Sequence, residues 1–386
     1  MRDHSLDLLK GLACILMIFA HSRGVDVSPL TSILYGENDR LTHLIYMMGE
    51  AAPIIFFPIV GVTAYMQANK YRPKPVLISF VFLFLLGFSY NGITQRDFYS
   101  DFQLEMIQII AIGAFLVYII QYTKKPAPAT FLVIGLTVFA LKILGSHNPW
   151  LRELLTFKPG IILPPGPFPL LPWLFLFFLG AFAYNTNNIN NLILAGVSIG
   201  LFITLKLLSF PLQPGNKWDM SVGYFLLSCF LLFSSFYIVR KFAFFRSEDR
   251  KQLVLYLGKF SLLFLFVHKF VIRLLHNLAV WPVPYLVLHR PFVFWFTVLV
   301  MTVILMKLIL DISAVDVVNR IFQNIWAWVL LAILILLVPT LTKNSIVIYS
   351  LELILGIIFA VYYPLLGKAI KQPGTLAVQP KVSQLS

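Results

Sequence analysis

Charge is scarce in this chain, and so is cysteine. Of 386 residues only 12% are Asp, Glu, Lys or Arg, while 59% are hydrophobic. A soluble domain carries roughly 25% charged residues. With a mean hydropathy of +0.85, a water-soluble fold has too little interior to hide the apolar surface, whereas a bilayer accepts it. The two cysteines, Cys14 and Cys229, both fall inside apolar runs, and no C-x-x-C spacing occurs. A disulfide framework and a cysteine-based metal centre are therefore not expected, and both residues read as small apolar packers. No Walker loop or dinucleotide fingerprint is present. Nor is there a 20–50-residue repeat, and the two halves do not read as copies, which argues against an inverted-repeat transporter.

What is abundant is the apolar run. Such runs lie near 6–22, 43–66, 76–92, 103–121, 129–145, 169–184, 190–209, 221–239, 253–272, 291–311, 324–342 and 346–366. Each approaches the roughly 20 residues that cross a hydrocarbon layer, and backbone groups in lipid must be paired within the segment, so each predicts a helix. The expected fold is an all-α integral membrane protein, a polytopic bundle of eleven or twelve transmembrane helices forming one domain over 1–386. The net charge of +14 is not gathered on one face, as a nucleic-acid partner requires, but split into clusters between the runs. Arg2 and Lys10, the Lys70–Arg72–Lys74 group, Lys124 and Lys125, the five basic residues from Arg240 to Lys251, and Lys368, Lys371 and Lys381 share one side when the chain starts in the cytoplasm. Basic loops are retained there, so both termini are expected to be cytoplasmic, in a cell (inner or plasma) membrane. Asp7 spoils the basic leader of a signal peptide, so the first span reads as retained.

Titratable groups inside lipid are expensive and each needs a reason. On the first helix Asp7, Lys10, Cys14 and His21 share one face. Lys10 and His21 are eleven residues apart, three turns, so a cation sits near one end of the stripe and an imidazole about 16 Å along it. Glu50 falls in the outer half of the second run, near the level of His21. Glu105 and Gln108 share a face at the start of the fourth. The ninth run, LGKFSLLFLFVHKF, places Gly258, Ser261 and His268 on adjoining turns, with His268 at about the depth of His21. A solvated helix end or an interfacial histidine accounts for each of these alone. Taken together, they fit proton abstraction from an acceptor hydroxyl or amine during attack on an acyl thioester, with a histidine as base and Glu50 and His268 in support.

At these residues a resemblance emerges. SLDLLKGLACILMIFAH is similar to the first-helix signature of the transmembrane acyltransferase superfamily, LD-x-x-RG followed by a hydrophobic run and a histidine, with Lys10 in place of the arginine. APIIFFPIVGVTAY at 52–65, EMIQIIAIGAFLVY at 105–118, FPLLPWLFLFFLGAFAY at 168–184 and LGKFSLLFLFVH at 257–268 resemble the heparan-α-glucosaminide N-acetyltransferase-like branch. The resemblance runs over about 5–270, leaving 271–386 as additional helices and a short tail. WDMSVGYFLLSCFLL at 218–232 departs from the branch, and Lys10 keeps the charge but loses the bidentate fork of arginine.

The resemblance implies transfer of an acetyl group from cytoplasmic acetyl-CoA to a sugar on the far side of the membrane, without a metal. It places the catalytic histidine in the region after the first helix, with His21 as the first choice in this chain and His43 as the second. Lys10, Asp7 and Ser261 would lie near the donor, where basic groups attract the coenzyme phosphates. The partners expected are acyl-CoA, a sugar or glycolipid acceptor and membrane lipid; a homodimer is compatible with the chain. The rival reading is a multi-pass transporter or flippase using the same His and Glu residues as a proton relay.

Overall fold

The computed structural model describes residues 4–21, 48–94, 103–155, 161–164, 166–241, 252–278 and 291–371. Among the described residues every regular element is a helix: α1 (His4–His21), α2 (Ala52–Ala68), α3 (Pro73–Ile93), α4 (Met106–Lys124), α5 (Pro128–His147), α6 (Pro149–Leu155), α7 (Leu170–Asn185), α8 (Asn188–Leu207), α9 (Val222–Lys241), α10 (Gln252–Lys259), α11 (Ser261–Leu278), α12 (Pro291–Ser313), α13 (Asp316–Ile321), α14 (Ile325–Leu341) and α15 (Ser345–Lys371). Each of the twelve apolar runs carries a helix. Eight helices are long and apolar enough to cross a membrane, α10 and α11 make a ninth span if the bent pair is taken as one, and α2, α7 and α14 are shorter apolar helices. The protein is an all-α polytopic membrane protein.

Local chemistry sets the helix starts. Proline opens α2, α3 and α5, where its fixed φ suits the first turn and its missing N–H has no partner to lose. Asn187 and Asn324 cap α8 and α14 through side-chain oxygens that accept from Asn190 N (2.9 Å) and Trp326 N (3.0 Å).

The centre of the bundle is α7. Every side chain from Trp173 to Ala183 is buried, as a helix apolar on all sides requires. It packs against α2, α4, α5 and α9. The α2–α7 crossing depends on glycine on both sides. A Cβ on Gly61 would strike the Phe177 carbonyl, and one on Gly180 the Pro58 carbonyl. Outward-facing Leu201, Ile203, Phe296, Ile304 and Leu330 are exposed, as lipid-facing positions should be.

Two sequence expectations change. Residues 253–272 do not form one straight span: α10 and α11 meet at Phe260 with a bend of 96°. The α10 leg is drawn across α1, where Gly258 lies on the Asp7 carbonyl and Gly11 on that of Val254. The second helix begins at Ala52, so Glu50 stands in the turn ahead of it. Pro53 in the first turn fixes that start.

Helices α12, α14 and α15 are built onto this body, with α15 lying along α3, α11 and α14. Ser89 Oγ donates to the Glu352 carbonyl at 2.6 Å. The Glu352 side chain is fully buried against Gly92, and neither carboxyl oxygen has a hydrogen-bond partner among the described residues.

Candidate active site

A serpentine chain of antiparallel helices brings alternate termini to one end of the bundle, and a cavity of about 390 Å³ lies there. The C-terminal end of α1 supplies His21, and the turn before α2 supplies Glu50. The end of α3 gives Tyr90 and Thr94, and the start of α4 gives Glu105. Phe168 and Trp173 come from the approach to α7 and its first turn, Lys217 and Trp218 from the turn before α9, and Lys269 from α11.

The decisive contact is between two histidines far apart in sequence. His21 Nδ1 and His268 Nε2 are 2.9 Å apart, and the two rings meet edge to edge, nearly coplanar, with an interplanar angle of 17°. His268 is fully buried. Its Nδ1 lies 2.7 Å from the Phe264 carbonyl one turn earlier, and its ring stacks on Phe264 at 4.6 Å. A carbonyl only accepts, so Nδ1 of His268 carries the proton and Nε2 holds the lone pair. That nitrogen accepts from the Nδ1–H of His21. The proton assignment follows from the network, and it leaves Nε2 of His21 unprotonated on a ring that lines the cavity. The pair thus has the layout of a general base held by an orienting partner.

Carboxylates and ammonium groups surround the pair. Glu50 is ion-paired to Lys217, and its carbonyl accepts from Tyr224 OH at 2.9 Å. Glu105, buried and capping α4, forms a reciprocal capping box with Gln108, whose Oε1 accepts from Glu105 N at 2.9 Å. Thr94 Oγ1 donates to Glu105 Oε1 at 3.4 Å. The polar start of α4 therefore faces a cavity wall rather than open water.

The model of the family described as heparan-alpha-glucosaminide N-acetyltransferase, catalytic, matches residues 2–205, more than half of the sequence. The chain belongs to that family. It is a membrane acetyltransferase. No curated protein matches the chain, and no solved structure does. The matched stretch carries His21, Glu50, Tyr90, Glu105 and Trp173; Lys217, Trp218, His268 and Lys269 lie beyond it.

Of the site residues expected from sequence, the structure brings together His21, Glu50 and His268, the first two on the cavity wall and the third directly behind His21. Asp7 and Lys10 sit at the opposite end of α1, near its crossing with α10, and Ser261 opens α11 just after the bend; none of the three lines this cavity. His43 lies outside the described residues. Cys14 and Cys229 are free, buried packers. The pentapeptide Gly196–Gly200 has the spacing of a nucleophile elbow but lies mid-helix in α8, with Ser198 Oγ donating to the Leu194 carbonyl at 2.7 Å. Sequence reading missed Lys217, Trp218 and Lys269. The first two occupy a turn with no periodic signal, and the third is adjacent to a histidine that already drew attention.

Proposed function

We propose that this acetyltransferase moves an acetyl group from cytoplasmic acetyl-CoA to a hydroxyl or amine of an extracytoplasmic or lipid-linked sugar, with His21 as general base. The observation that supports this most directly is the His21–His268 contact at the wall of a polar cavity. His21 Nε2 accepts the proton of the attacking acceptor group, holds it as imidazolium, and returns it to the departing sulfur. His268 keeps the His21 ring in the tautomer that this requires, as an orienting partner does for other histidine bases. Acetyl-CoA supplies the activated acyl carbon and a thiolate leaving group.

The donor reading fits residues at the other end of the bundle. Lys10 on α1, Lys70 and Arg72 between α2 and α3, Lys74 in the first turn of α3, and Lys124 and Lys125 at the end of α4 share that end, and they would hold the coenzyme phosphates. Asp7 and Ser261 belong to the same region. The charge of the cluster supports a cytoplasmic side for it; the cavity end would then be extracytoplasmic, in an inner or plasma membrane. Donor and acceptor would then approach the histidine pair from opposite sides.

Coenzyme A release from acetyl-CoA by the purified protein in detergent, with His21→Ala as the comparison, tests the reading. Loss of a general base predicts a fall of about 10²–10⁴-fold. Native protein that releases no coenzyme, or a His21→Ala variant with full activity, overturns the assignment.

A further inference from the structure

The cavity is lined by two unlike sets of residues, and each reaches beyond the family-matched stretch. One set is polar: His21, Glu50, Glu105 and Lys269. In the other, three aromatic rings line the cavity in succession: Trp218, Phe168 and Trp173. Their neighbouring centroids are 6.2 Å and 5.1 Å apart. The ladder runs from the surface inward, since Trp218 is 48% exposed and Trp173 is fully buried.

An exposed tryptophan is by itself unremarkable at a membrane interface. Trp218, however, is held in place by a turn built for the purpose. Gln213 and Met220 adopt positive φ. Ser221 Oγ donates to the Gln213 carbonyl at 2.7 Å, Asp219 N to Asn216 Oδ1 at 3.2 Å, and Gly223 N to the Leu212 carbonyl at 3.0 Å. Lys142 on α5 reaches across to the Met220 carbonyl at 3.5 Å. A second tie comes from Lys217, which lies 4.3 Å from the Trp218 ring centroid and pairs with Glu50, another lining residue. Non-glycine residues held at positive φ are uncommon and need surrounding structure to keep them there.

We infer that Trp218 is a specificity-determining residue for the acceptor: its ring is the platform on which a pyranose ring of the acceptor stacks as it enters. The inference rests on the acyl-transfer reading above. An aromatic face is the negative part of the ring quadrupole and prefers partners that present positive edges, as the axial C–H groups of a pyranose do. The hydroxyl or amino substituents at the sugar rim would then meet the Lys217–Glu50 pair. The inner rings would carry the reacting substituent toward His21. Because this turn lies outside residues 2–205, the platform belongs to the part of the chain that the family match does not reach.

The test is steady-state acetyl transfer in detergent from acetyl-CoA to methyl α-glucosaminide, varying each substrate in turn, for native protein, Trp218→Ala and Trp218→Phe. The expected result is an acceptor KM raised at least tenfold in Trp218→Ala, with the acetyl-CoA KM within twofold of native and most of the loss restored in Trp218→Phe. A merely structural tryptophan would change both KM values together. An acceptor KM within twofold of native in Trp218→Ala, or a parallel rise in the donor KM, overturns the platform. So does native protein that releases coenzyme A without saturating in the sugar. Failure of the underlying reading is separate and shows as no His21-dependent coenzyme release at all.

Discussion

In the proposed mechanism His268 would act from behind the cavity wall. With no exposed surface and with Nδ1 committed to a carbonyl, it cannot reach an acceptor, so its effect must pass through His21. Removing it should therefore lower kcat while leaving substrate binding nearly intact. His268→Ala is expected to lose about 10²-fold in kcat, the lower range for a misaligned base, with both KM values within a few-fold of native. The more telling comparison is the double variant. Residues that act as one unit are strongly non-additive, so His21→Ala with His268→Ala should be no slower than His21→Ala alone. Additive losses, measured by coenzyme release, would mean that the histidines act independently. The depth of His21 could be counted along α1 from the sequence, because rise per residue is fixed; the same count for His268 presumed a straight span, and the bend at Phe260 breaks it. The rotation of the two histidines toward each other could not be counted either, since it depends on how α1 and α11 pack.

At the scale of helices, the same limit explains the bend at Phe260. LGKFSLLFLFVH is apolar throughout, and hydropathy does not distinguish a straight span from two legs. What turns the chain is the close approach of α10 to α1, made possible by Gly258 and Gly11. Glycine at a crossing allows backbones to meet without a side chain between them. Gly258→Ala would put a methyl group onto the Asp7 carbonyl, and such overpacking costs about 1–3 kcal/mol. The expected outcome is a lower midpoint of thermal unfolding in detergent, together with reduced kcat as α11 carries His268 away from His21. Gly196→Ala and Gly200→Ala on α8, where an added Cβ meets nothing within 4 Å, should leave the midpoint unchanged or slightly raised, since alanine is worth about 0.5–1 kcal/mol over glycine inside a helix. Equal losses at all three positions would count against the crossing as the cause. The existence of all twelve apolar segments was legible because hydrophobic length is a strong signal. Glu50 was misplaced inside a helix because the apolar residues on both sides of it read as one run, whereas a turn at Glu50 and Ala51 precedes the helix that starts at Ala52, with proline in its first turn.

For the molecule as a whole, the serpentine path separates two chemically different ends. The cavity holds Glu50, Lys217 and Trp218 at one end, and Lys70, Arg72, Lys74, Lys124 and Lys125 lie at the other. The grouping of the basic residues at one end was readable from their spacing between apolar runs. The aromatic and acidic end was not, because its residues come from seven separate places in the chain and meet only after folding. The two ends must face different compartments if donor and acceptor approach from opposite sides, and the protein offers a clean way to check this. Both native cysteines are buried, Cys14 at 0% and Cys229 at 4% exposure, so neither should react with a membrane-impermeant maleimide. A cysteine introduced as Trp218→Cys should be labelled in intact cells. One introduced as Arg72→Cys, an exposed position at the other end, should be labelled only after the membrane is permeabilised. The reverse pattern would invert the chain, place the basic clusters outside, and detach the cytoplasmic donor from the end at which its phosphates would bind. Labelling of both positions from outside would mean that α2 and α3 do not separate two compartments, and that an acyl group need not cross the bilayer to reach its acceptor.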